Sequence, residues 1–171
     1  MKRTLLIAAL LAIVVGTPKP SFAQDTGPTI MSPAQIGEIF CILRIGNDMA
    51  PVEGLLTPDL TAVIENAWSV NSAYEDEYPG EKPPLGDGLP WQAWPDYAPV
   101  CQVGAVTIDG DRATVALNYA FPDYPDANFT DSLQLVRIDN AETGFTVWRI
   151  DNIAYAEGDF RKALEAAFDF V

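Results

Sequence analysis

The chain has 171 residues, no histidine, two cysteines and a net charge of −14. A length of this order suits one domain, and the missing histidine excludes a Ser-His-Asp triad, a Cys-His dyad and any histidine metal centre. The acid excess repels nucleic-acid phosphates and anionic lipid heads, which proteins grip through Lys and Arg.

Lys2 and Arg3 precede an unbroken apolar run, Leu5 to Val15. That run is too short to cross a hydrocarbon core of about 30 Å as a helix. Ser21-Phe22-Ala23 supplies the small residues of an A-x-A-like cleavage site. Residues 1–23 therefore read as a cleavable signal peptide, and 24–171 as a single mature domain, periplasmic or secreted. No cysteine follows the apolar run, so the lipid-attachment pattern is missing. Cleavage removes Lys2, Arg3 and Lys19, which takes the net charge from −14 to −17. Cys41 and Cys101 are the only cysteines, an even count that an oxidising compartment should pair. Closing a loop of about 60 residues stabilises by roughly 4 kcal/mol in the chain-entropy picture. Two thiols without histidine make a poor zinc site, and no cofactor is expected.

Residues 24–31 read as a short disordered lead. Ser32-Pro33-Ala34-Gln35 then forms a capping box, with Pro at the first helical position. Ile36, Ile39, Phe40 and Leu43 follow at helical spacing, and Gly46-Asn47 ends the run. Thr57-Pro58 repeats the cap, opening a second amphipathic helix through Leu60, Val63, Ile64, Ala67 and Trp68 that must stop before Pro79. Residues 79–99 are long for a connection and carry Pro83, Pro84 and Pro90 among glycines; Trp91, Trp94 and Tyr97 argue against disorder there. A strand from about Val103 to Ile108 turns at Asp109-Gly110-Asp111 into the alternating Ala113, Val115, Leu117, Tyr119 and Phe121. Leu133 and Leu135 give way to Val136 and Ile138 on the other parity, and Phe145 and Val147 give way to Trp148 and Ile150. Such matched switches predict a bulge or bend. A last helical stripe runs Phe160, Ala163, Leu164, Ala167, Phe168 and Val171. Two helices, a long loop, a four-strand antiparallel meander and a terminal helix make an α+β domain.

The order and texture resemble the NTF2-like (SnoaL/ketosteroid-isomerase-like) cone and, more narrowly, the small exported bacterial proteins grouped as DUF3828. The residues that carry the likeness are Ile36 to Ile45, Leu55-Leu56-Thr57-Pro58-Asp59-Leu60, Leu89-Pro90-Trp91-Gln92-Ala93-Trp94, and Trp148 to Tyr155 with Arg161 and Leu164. The resemblance implies a curved sheet wrapped by helices, with a concave pocket. It implies no particular activity, because such folds host many.

Within the cone likeness, a carboxylate base and a tyrosine donor in an apolar pocket would be a workable pair, and Asp151 with Tyr119 could supply it. The plainer reading sets Asp151 and Asn152 at a bend, with Arg149 paired to an exposed acid. Asp123, Asp126 and Asp131 surround a turn rich in oxygen, but they lack EF-hand spacing and its glycine, so they read as a solvated acidic turn. The aromatic group Tyr74, Tyr78, Trp91, Trp94 and Tyr97 either lines a pocket, presents anchors to a partner, or pins the proline-rich loop to the domain. These readings favour a non-catalytic exported binding module whose partner is a small molecule or an envelope protein. Its candidate site residues are Tyr74, Trp91, Trp94, Tyr97, Tyr119, Arg149 and Asp151. An enzyme, hydrolase or isomerase, using Asp/Tyr chemistry is the alternative, and an acidic immunity or inhibitor protein is a third reading.

Overall fold

The computed structural model describes residues 31–94, 96–140 and 143–169. The expected signal peptide, most of the lead and Val171 lie outside them. The first helix, α1 (Pro33–Gly46), starts as its sequence demands. Ser32 Oγ accepts from the Gln35 amide at 3.3 Å, and Gln35 Oε1 accepts from the Ser32 amide at 2.8 Å. Asn47 closes the helix in the left-handed region, at φ 52°, a conformation that asparagine tolerates better than most residues. A short 3-10 turn, Ala50–Leu55, leads to α2 (Pro58–Glu77), where Thr57 Oγ1 accepts from the Leu60 amide.

The second half is the expected meander: β1 (Val100–Asp109), β2 (Arg112–Ala120), β3 (Phe129–Asp139) and β4 (Thr146–Ala154), antiparallel throughout and in spatial order β1-β2-β3-β4. The parity switch in the sequence is a bulge. Gln134 pairs with Asn152 and Leu135 with Ile150, which leaves Asp151 as the extra residue of β4. A second register shift, at Gly104 and Ala105 of β1, had no counterpart in the sequence reading. The closing helix α3 (Phe160–Ala166) is shorter than the apolar stripe suggested, although Ala167 and Phe168 still pack on the core.

All three helices lie on one side of the sheet, α1 over β1 and β2, α2 and α3 over β4. Between the layers sit Ile36, Phe40, Leu60, Leu117, Leu133, Leu135, Trp148, Ile150, Ile153 and Phe160, each 1% exposed or less. Gly37 lets α1 approach closely, since a Cβ there would stand 2.7 Å from Val115 Cγ1 and 3.0 Å from Val103 Cγ2. Cys41 of α1 and Cys101 of β1 form a disulfide with a Cα separation of 5.2 Å. The free edge of β4 is partly covered, because Leu56 makes a parallel bridge with Ile150 and the Thr57 amide donates to the Ile150 carbonyl at 2.9 Å. Capping an edge in this way limits its use as a template for another chain. No helix among the described residues is long and apolar enough to cross a membrane.

Candidate functional site

The described residues between 78 and 99 pack against the layered core, and side chains hold them in place. Asn71 of α2, 3% exposed, accepts the Leu85 amide on its Oδ1 at 2.8 Å, and Leu85 itself is buried. The Trp91 indole stacks on Phe160 with centroids 5.0 Å apart and meets Phe40 edge-on at 6.3 Å. The Tyr155 hydroxyl donates to the Pro90 carbonyl. Gln92 turns its amide nitrogen back to the carbonyls of Trp94 and Asp96, and the Ala93 amide donates to Asp131 Oδ2 at 3.0 Å. A proline-rich segment with few ladder bonds of its own thus acquires a fixed shape from outside, which accounts for the large aromatic residues in it.

Under this loop the core changes character. Arg44, Gln92 and Asp131 are 5%, 5% and 1% exposed. Arg44 Nε and Nη1, Gln92 Oε1, Tyr119 Oη and Asp131 Oδ1 have no hydrogen-bond partner among the described residues. Unsatisfied buried polar atoms are rare in folded proteins, so five grouped here make this the candidate site. Burial, opposed by the Ala93 amide and by Arg44, raises the Asp131 carboxyl to about 6. Burial above all, and then the charge of Asp131, push the Tyr119 hydroxyl above the usual tyrosine range, against a smaller opposing pull from Arg44. Arg44 instead lies under an aromatic ring, its guanidinium carbon 3.8 Å from the Tyr97 centroid.

Two cavities share the loop as a wall. One, of about 310 Å³, is lined by Arg44, Gln92, Trp91, Trp94 and Tyr97 together with residues 87–90 and 93. The other, of about 370 Å³, runs between α2 and the 3-10 turn and is mainly apolar, with Met49, Leu56, Ile64, Trp68, Leu89 and Trp91 on its walls. Trp91, Gly88 and Leu89 belong to both.

The structure therefore brings Trp91, Trp94 and Tyr97 together, with Tyr119 in the polar cluster beneath. Tyr74 stands apart, near the end of α2, where it packs on Tyr78 at 4.8 Å and donates to Glu81. Arg149 also stands apart. It alternates with Trp148 and Ile150, which face the core, and its Nη1 donates to the Trp148 carbonyl; among the described residues it makes this backbone bond in place of the expected ion pair with an exposed acid. Asp151, the bulged residue, accepts from Thr57 Oγ1 at 3.1 Å and pairs with Arg161 at 3.3 Å. Tyr119 pairs across to Phe129, whereas the bulge lies opposite Gln134 and Leu135. At the rise of a strand that is roughly 17 Å further along β3, so Asp151 and Tyr119 do not form one site. The reading of Asp131 as part of a solvated turn is corrected: it lies on the helix-facing side of β3 with Leu133 and Leu135.

Arg44 was not singled out from the sequence, Asp131 was placed in an acidic turn, and Gln92 and Tyr155 were named only for the family likeness; three of the four could have been assigned to the buried side. Arg44 falls four residues after Phe40 and eight after Ile36, on the buried stripe of α1. Asp131 shares the parity of Leu133 and Leu135, and Tyr155 that of Ile153. Gln92 carries no such signal. In comparison with known proteins, no family model matches the chain, and no curated protein or solved structure matches it either.

Proposed function

We propose that the mature chain is a non-catalytic exported binding module of NTF2-like shape, which takes a small molecule against the loop at 85–97. The observation that carries this reading is the Trp91 wall, shared by cavities of about 310 and 370 Å³. Both volumes fall in the range of small-molecule sites, which combine apolar walls with a few fixed polar groups. The Cys41–Cys101 disulfide and the basic-then-apolar start of the chain support export. The order of helices and strands agrees with the NTF2-like resemblance.

An Asp/Tyr enzyme is favoured by one observation, the buried carboxyl of Asp131 with Tyr119 beside it in the polar cluster. Against it, Asp131 sits behind the Ala93 amide and lines neither cavity. A general base must reach the proton it takes, so binding remains the better account. The test is a screen of residues 24–171 against metabolites and envelope extract by native mass spectrometry and thermal shift. A saturable small ligand whose affinity falls in Trp94→Ala and Trp68→Ala supports the reading. Only a protein partner, or no saturable binding at all, refutes it.

A further inference from the structure

Among the described residues, Arg44 is the one cation lining the 310 Å³ cavity. It is 5% exposed, and its Nε and Nη1 donors are unused. A guanidinium is always charged and presents its donors as a planar fork matched to a carboxylate. Its desolvation has already occurred on folding, so a ligand anion placed here would not have to strip water from the cation. We infer that this cavity binds a small ligand bearing a single carboxylate on a ring or apolar body, the carboxylate bonding Arg44 and the body lying against Trp91 and Trp94. The inference rests on the small-molecule reading above and gives its ligand a chemical class.

Two features refine the class. The Tyr97 ring covers the guanidinium, yet Tyr97 is 52% exposed. An exposed side chain changes rotamer in picoseconds to nanoseconds. A bidentate charge-assisted pair is stronger than the cation–π contact it would replace. Tyr97 is then a cover that the ligand displaces. Asp87 lines the cavity, Asp96 bonds the Trp94 indole, and Asp131 lies near Arg44, all within a mature chain of net charge −17. Such a field tolerates one negative charge opposite Arg44 and disfavours a dianion, so carboxylate is selected over phosphate. Gln92, whose Oε1 has no partner among the described residues, also lines the cavity.

The experiment titrates residues 24–171 with benzoate and galacturonate, each against its neutral counterpart, benzamide and galactose, and with inorganic phosphate, following tryptophan fluorescence and calorimetric heat. The expected result is at least one acid binding tenfold or more tighter than its counterpart. Arg44→Gln should bring the acid down to the neutral level, and Tyr97→Ala should leave the acid as tight or tighter. The comparison of acid with neutral probe uses the unaltered protein, so it decides even if Arg44→Gln does not fold. Equal binding of acid and neutral probes, or tighter binding of phosphate, overturns the carboxylate class and leaves the pocket in place. If all probes fail while the metabolite screen yields a neutral ligand, the class is again overturned alone. If the screen is empty too, both readings fall.

Discussion

Two halves of one core follow opposite rules. Where α2 and α3 meet the sheet, Leu60, Leu133, Leu135, Ile150 and Ile153 fill the interior with apolar atoms, each 1% exposed or less. Beneath the loop, the same two layers enclose Arg44, Gln92, Tyr119 and Asp131, with donors and acceptors left open. The first half is what stability alone would select. The second half costs stability, since each unmade buried hydrogen bond is unfavourable by about 1–3 kcal/mol. That contrast sets this end of the core apart as the candidate site.

The largest expected effect is in the apolar half. Leu133→Ala should lower stability by about 2–5 kcal/mol, through lost burial and a cavity that the sheet cannot collapse, as read by urea unfolding. Next comes the disulfide between α1 and β1. The bridge joins residues 60 apart and lies three residues before Arg44 in α1, so Cys41→Ser with Cys101→Ser should cost about 2–4 kcal/mol. It should also speed proteolysis within 79–99 more than elsewhere. A uniform rise in cleavage would mean that the loop is not held from α1.

The polar half should respond in the opposite direction. The carboxyl of Asp131 is raised from 3.8 to about 6 in the folded chain, so folding favours its protonated form. Stability from this group is then fully present below about pH 4, falls as pH rises towards 6, and stays low above that. Removing the ionisation by Asp131→Asn should flatten that stretch of the stability–pH curve and stabilise the protein at pH 8 by roughly 2–3 kcal/mol. An unchanged slope between pH 4 and 6 would show that Asp131 is already ion-paired. The smallest effect belongs to Trp94, 50% exposed at the rim. Trp94→Ala should change stability by less than about 0.5 kcal/mol, so any loss of ligand affinity in it reports the site and not the fold.

Much of the fold was legible because local chemistry and periodicity agreed. The Ser32/Gln35 box, the Thr57-Pro58 entry and the alternation through Ala113 to Tyr119 each appear where the residues put them. The bulge could be foreseen from the parity switches in β3 and β4, though not the residue that it expels, since pairing register depends on the neighbouring strand. The site was half legible. The aromatic loop announced itself by composition, yet its polar floor is assembled from α1, β2 and β3, residues far apart in sequence. Asp131 was hidden by its acidic neighbours Asp123 and Asp126, which gave it the look of a solvated turn. Arg44 was hidden by the ordinary expectation that arginine faces water.

The most direct test is a high-resolution crystal structure of residues 24–171 grown with the tightest acid found by titration. The account predicts a carboxylate with its oxygens within about 3 Å of the Arg44 guanidinium nitrogens, the Tyr97 ring swung aside and the ligand body against Trp94. An Arg44 guanidinium closed onto Asp131, with the ring of Tyr97 still over it and only water in the cavity, would contradict it.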